Sequence, residues 1–142
     1  MSLPLAFWDS SALIPLCAQQ AQTGRAEALF ARYGVVVWWT TPVEIISGLT
    51  RLVRMGEIDQ DDFFAGKQQA QTIATTWVPI KPSAKIAAQA CLLLELHSLS
   101  AADALQLAAA LEWCEDKPKG QVFLTFDHRL HEAAGLAGFT LE

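Results

Sequence analysis

Four acidic residues stand where carboxylates can act together: Asp9, Glu44, Asp103 and Asp127. Asp9 directly follows the apolar run LPLAFW, and Asp127 directly follows QVFLTF. Glu44 and Asp103 each fall in the first turn of a helix-like stretch. Each acid has an ordinary explanation, because a carboxylate at a helix start accepts free N–H groups and favours the dipole. Thr41-Pro42-Val43-Glu44 reads as a capping box with proline at the first helical position, and Ser100-Ala101-Ala102-Asp103 fits a looser version. Capping does not explain the surroundings of Asp103. On a helical wheel it shares a face with Leu107, Ala110, Leu111 and Cys114, where an unpaired carboxylate is costly. Four carboxylates gathered at one edge would repel one another, and a divalent cation is the simple remedy. Oxygen-only donors favour Mg²⁺ or Mn²⁺ over zinc. Such an ion binds phosphate oxygens and activates water, so phosphodiester hydrolysis is the natural reaction class. Ser10, Ser11 and Thr125 flank two of the acids and are placed to fix a carboxylate or a phosphate. Arg51 shares a helix face with Glu44, about 10 Å down the axis, and is the candidate phosphate contact.

The elements that must hold these residues alternate along the chain. Strands are predicted at 3–8, 35–39, 76–80, 121–126 and, as a last edge, 138–141. Helices are predicted at 11–20, with a bend at Pro15, and at 23–33, 42–55, 60–75, 83–96, 101–115 and 128–134. VVVWW at 35–39 shows no polar alternation, the pattern of a strand buried on both faces. Asp59 is the expected cap of the helix at 60–75, and Gly56 ends the helix before it. Strands alternating with helices imply an α/β domain with a mostly parallel sheet and helices on both faces. Ligands of such sheets bind beyond the carboxyl ends of the strands.

Composition sets looser bounds. With 142 residues, 52% of them hydrophobic, the chain is read as one domain spanning 1–142, large enough for a real core. No apolar run is long enough to cross a membrane. The apolar start lacks a positive segment and meets Asp9 early, so it is not read as a secretion signal. Cys17, Cys91 and Cys114 form no C-x-x-C pair and are read as reduced core thiols of a cytoplasmic protein. Trp8, Trp38, Trp39 and Trp77 are read as core residues of strands. Phe63 and Phe64, adjacent on a helix, cannot both face one core. The net charge of −5 argues at first against a nucleic-acid partner. Setting aside the four site acids leaves 11 acidic against 10 basic residues, nearly neutral.

FWDSSAL, TPVEIISGLTRL, LSAADALQLAAAL and VFLTFDHRLHEAA occur in that order. Over about residues 4–141 the chain resembles the PIN-domain nucleases, and within them the VapC-type toxins of toxin–antitoxin pairs. ADALQLAAAL followed by LTFD is the most specific part. The resemblance implies a three-layer α/β/α sandwich and a Mg²⁺- or Mn²⁺-dependent endoribonuclease leaving 5′-phosphate and 3′-hydroxyl ends. It places the family's four acids on Asp9, Glu44, Asp103 and Asp127, the hydroxyl after the first acid on Ser10, and the one before the last on Thr125. It further implies a homodimer and silencing by an antitoxin segment in an apolar groove. The helices at 42–55 and 60–75, with Met55, Phe63 and Phe64, are the expected groove wall. Two other readings compete: a catalytically idle PIN-like binding module, and a phosphoryl-transfer enzyme or receiver with a nucleophilic Asp9. The latter lacks an acid at position 11, which is Ser11, and has no lysine after Lys119.

Overall fold

The computed structural model describes residues 2–142. Among them the chain order is β1 (Leu5–Trp8), α1 (Ser10–Cys17), α2 (Thr23–Arg32), β2 (Gly34–Trp38), α3 (Thr41–Arg54), α4 (Gln60–Ala74), β3 (Val78–Ile80), α5 (Ala84–Leu96), α6 (Ala101–Trp113), β4 (Val122–Leu124) and α7 (His128–Ala137). The sheet order is β3-β2-β1-β4, and every pairing is parallel. The registers set Phe7 beside Val36 and Phe123, and Trp38 beside Ile80.

Neighbouring residues on a strand point to opposite faces, and here both faces are covered. Phe7, Val36, Trp38 and Phe123 pack under residues of α5, α6 and α7, such as Ile86, Leu107 and Leu130. Ala6, Trp8, Val35, Val37 and Leu124 pack on the other side with Leu13, Leu29, Leu49 and Ile73 of α1–α4. This is the expected α/β/α sandwich, and it explains why VVVW carries no polar alternation. No helix among the described residues is long and apolar enough to cross a membrane.

Several local expectations are corrected. The predicted edge strand at 138–141 is reduced to one bridge, Thr140 to Val122. Gly138, at φ +111°, caps α7, which runs on to Ala137 and takes up the chain where the strand was expected to begin. Trp39 lies beyond the end of β2 and is 57% exposed, so it is not a core residue. Trp8 and Trp38 are buried as expected. Of the three free cysteines only Cys17 is in the core, while Cys91 is exposed. Phe63 packs inward and Phe64 is exposed. Asp59 does cap α4, in a reciprocal box with Asp62. The helix predicted at 11–20 stops at Cys17, two residues after the buried Pro15.

Gly66 marks where α4 crosses α1. A methyl group there would sit 2.6 Å from the Cys17 carbonyl and 3.3 Å from Leu49. Gly24, in the first turn of α2, has open space around it. Gly66→Ala is therefore expected to destabilise the fold by about 1–3 kcal/mol through overpacking, despite the better helix propensity of alanine. Gly24→Ala should stabilise it by up to about 1 kcal/mol. Urea unfolding of the two variants beside the parent chain checks both signs.

Candidate active site

Parallel pairing brings the carboxyl ends of β1, β2 and β4 to one edge. Asp9 follows β1, and its N–H donates to the Leu124 carbonyl of β4 at 2.9 Å. Asp127 lies three residues beyond β4 and caps α7, its Oδ1 accepting the Leu130 N–H at 2.9 Å. α3 begins just past β2 and supplies Glu44, while the first turn of α6 supplies Asp103. Asp9, Asp103 and Asp127 line one cleft of about 340 Å³ with Ser10, Ser11, Gly48 and Arg51. Arg51 is exposed and joins no ion pair with the described residues. Gly48 keeps the wall thin: a methyl group there would collide with Ile14.

Asp9 is 2% exposed. Its Oδ2 accepts from the Ser11 hydroxyl at 2.6 Å and the Thr125 hydroxyl at 2.9 Å. Each hydroxyl has one proton, and each spends it on Asp9. Both then accept from the backbone of the loop after β4: Ser11 Oγ from Phe126 N–H at 2.9 Å, Thr125 Oγ1 from Asp127 N–H at 3.0 Å. The hydroxyls thus tie β1 to the approach of Asp127. Asp9 Oδ1 takes no hydrogen bond from the described residues.

Glu44 is held differently. Oε1 accepts from Ser10 at 3.0 Å, and Oε2 from Thr40 at 2.6 Å. Gln106 Nε2 donates to both oxygens, at 3.0 and 3.1 Å. Ser10 therefore serves Glu44, and Ser11 is the hydroxyl that serves Asp9. The expected Thr41 capping box is absent. Thr40 is the N-cap residue with helical φ and ψ, and its hydroxyl turns to Glu44. The Thr41 hydroxyl is buried without a partner. At Asp103 the cap is real but belongs to Ser100, which accepts the backbone N–H of Asp103 at 3.1 Å. The carboxylate of Asp103 is not what starts α6.

Gln106 is not among the site residues expected from the sequence. It is fully buried among Leu107, Ala108, Ala109 and Ala110. The signal was present as the one polar residue inside DALQLAAAL, three places after Asp103, and so on the same helix face.

The electrostatics follow from this crowding. Burial pushes the Asp9 carboxyl up to about 6, with Asp103 and Glu44 adding repulsion and the Ser11 and Thr125 bonds opposing. Asp103 is also raised, first by burial and then by Asp127. Asp9 thus feels the charges of Asp103 and Glu44, and Asp103 those of Asp127 and Glu44. Among the described residues no three carboxylate, imidazole or thiolate groups close tightly enough to encage a cation by themselves. The donor set still fits a hard ion. It is all oxygen, and Asp9 Oδ1 is left free beside a cleft with room for water. Mg²⁺ commonly keeps several waters and takes only one or two carboxylates plus substrate oxygens.

A raised carboxyl makes the metal-free fold more stable in acid. Below pH 3.8 Asp9 is protonated folded or unfolded and costs nothing; between 3.8 and about 6 the folded state holds the proton more tightly. Metal-free stability should therefore fall as pH rises from 3.8 to about 6, by about 3 kcal/mol, then level off. Asp9→Asn should flatten that slope. Urea unfolding in EDTA across this range tests it, and a parent chain whose stability rises steadily over the window would contradict it.

The PIN-domain family profile matches residues 6–136. No curated protein matches the chain in sequence. Among solved structures, the chain is similar to the Mycobacterium tuberculosis toxin VapC20, described as cleaving the sarcin–ricin loop. That match has 22% identity, covers 95% of this chain and 96% of the other, and has a TM-score of 0.64. It is similar to a chain of a Klebsiella pneumoniae toxin–antitoxin complex, with 20% identity, 86% of each chain covered and a TM-score of 0.60. It is also similar to a chain of the FitAcB structure from Neisseria gonorrhoeae, with 17% identity, 96% and 97% covered and a TM-score of 0.63. At these identities the likeness establishes the fold, and the profile, spanning most of the chain, establishes the family: this chain belongs to the PIN-domain family.

Proposed function

We propose that the chain is a divalent-cation-dependent endoribonuclease acting as the toxin of a toxin–antitoxin pair. The observation that supports this reading is that Asp9, Asp103 and Asp127 line one cleft of a PIN fold, with the charge of Glu44 acting on Asp9 and Asp103. Mg²⁺ or Mn²⁺ is the proposed ion, with Asp9, Asp103, Asp127 and Glu44 as its holders. When bound, it would offset the carboxylate repulsion and stabilise charge on the scissile phosphate. Ser11 and Thr125 keep the Asp9 carboxylate turned so that Oδ1 is free. Ser10 and Thr40 fix Glu44. Arg51, exposed on the cleft wall, is the proposed contact for a neighbouring phosphate. RNA is the proposed substrate, a reading supported by the similar toxin described as cleaving the sarcin–ricin loop. The idle alternative would leave the crowding of acids around the buried Asp9 without a use.

A partner surface belongs to the same reading. Met55, just past the end of α3, and Phe64, on α4, are 58% and 64% exposed, and a shallow groove runs between these helices along Thr50, Val53, Arg54 and Phe63. We assign that groove to the antitoxin segment, as the description of the Klebsiella relative as a toxin–antitoxin complex suggests. A homodimer of this chain is the proposed free state.

Purified chain should cleave structured RNA with Mg²⁺ or Mn²⁺ and stop with EDTA. Asp103→Asn should lower cleavage by about 100-fold or more. It should not lower the unfolding midpoint in EDTA, because Ser100 keeps its bond to the backbone N–H. Undiminished cleavage in EDTA would sink the metal mechanism. A variant less stable in EDTA yet fully active would reduce Asp103 to a helix-start acid.

Co-expression with the neighbouring reading frame should yield a hetero-complex by light scattering, and the free chain should run as a dimer. Phe64→Glu should weaken the hetero-complex. A strict monomer that ignores its neighbour's product would refute the assignment.

A further inference from the structure

The buried Gln106 leaves one polar atom stranded, and its other bonds a carboxylate on a distant helix. Its neighbours on α6 are alanines and leucines, and it is 0% exposed. Its Oε1 is buried without a partner. An apolar side chain of the same volume would fill this space without stranding a polar atom. What the amide does instead is reach across the end of the sheet. Its Nε2 donates to both oxygens of Glu44, which belongs to α3 in the opposite helical layer. The reverse orientation would set the amide oxygen against a carboxylate, so the donor assignment is fixed by chemistry. Gln106 also lies one turn from Asp103 on the same face of α6.

We infer that Gln106 is a positioning residue: through its amide, α6 sets the orientation of Glu44 relative to the Asp103 it also carries, so that the two carboxylates present to one cation. This rests on the metal reading of the cleft. Gln106 acts through Glu44 and touches no reacting atom. Groups that orient a metal-holding side chain in this way commonly govern affinity by about 10–100-fold.

The test is Gln106→Met, which keeps shape and removes the donor, with Gln106→Leu as a second variant should the first not fold. Mn²⁺ binding is measured by titration calorimetry or by the free-ion paramagnetic resonance signal. Thermal unfolding is followed in EDTA, and RNA cleavage over a range of Mn²⁺ concentrations. The expected result is a Kd for Mn²⁺ weakened about 10–100-fold, an unfolding midpoint in EDTA no lower than the parent's, and cleavage that recovers as Mn²⁺ is raised by the same factor. A purely structural role would not give cleavage that recovers with metal. A Kd within about twofold of the parent's, or lost cleavage that excess Mn²⁺ leaves unmoved, overturns the inference. Glu44→Gln, run alongside, separates the two levels. If it weakens Mn²⁺ binding while Gln106→Met does not, only the role of Gln106 falls. If the parent chain takes up no Mn²⁺ at all, the metal reading falls with it.

Discussion

The cleft depends on the parallel pairing of β1 with β2 on one side and β4 on the other. In an antiparallel arrangement the loops after these strands would leave at opposite ends. Here Asp9, Asp127 and the start of α3 are forced to one edge, and α6 closes it from the layer above. Bringing acids together this way is uphill. Burial and mutual repulsion raise Asp9 and Asp103, and the surrounding hydroxyls recover only part of that cost. The fold supplies the remainder from the two apolar layers that clamp the sheet. Phe7 and Trp8, next to Asp9 in the chain, are both fully buried, one on each face.

The main elements were legible because both signals, apolar runs and helix-start chemistry, are local. β1, β2 and β4 followed from LPLAFW, VVVWW and QVFLTF. The strand ends at Trp38 rather than Trp39 because residue 39 has left the sandwich, and no propensity distinguishes the two tryptophans. GFTL has strand composition, yet the turn at Gly138 leaves it one bridge long. Composition shows that a segment suits a ladder, not how much ladder remains.

The places of the four acids at strand ends and helix starts were legible in the sequence, whereas their hydrogen-bond partners were not. Ser10 and Ser11 are adjacent and chemically alike, yet one serves Glu44 and the other Asp9. That division is decided by the first turn of α1, where successive residues are rotated by about 100°. Thr40 and Thr41 present the same ambiguity, resolved towards Thr40 by where α3 begins. Gln106 is joined to Glu44 across 62 positions of sequence. A contact of that range between two helical layers leaves only a misplaced polar letter in an apolar run.

Asp127 and Asp103 differ in how deeply each is woven into the architecture. The carboxylate of Asp127 starts α7, whereas α6 is started by Ser100 and would begin without Asp103. In a lineage released from selection on the cleft, substitution at position 103 meets little resistance from folding. Position 127 remains constrained to residues that cap a helix, with asparagine the nearest. Were the proposed chemistry lost, erosion would therefore begin on α6, and an acid or amide at the start of α7 would persist as a vestige.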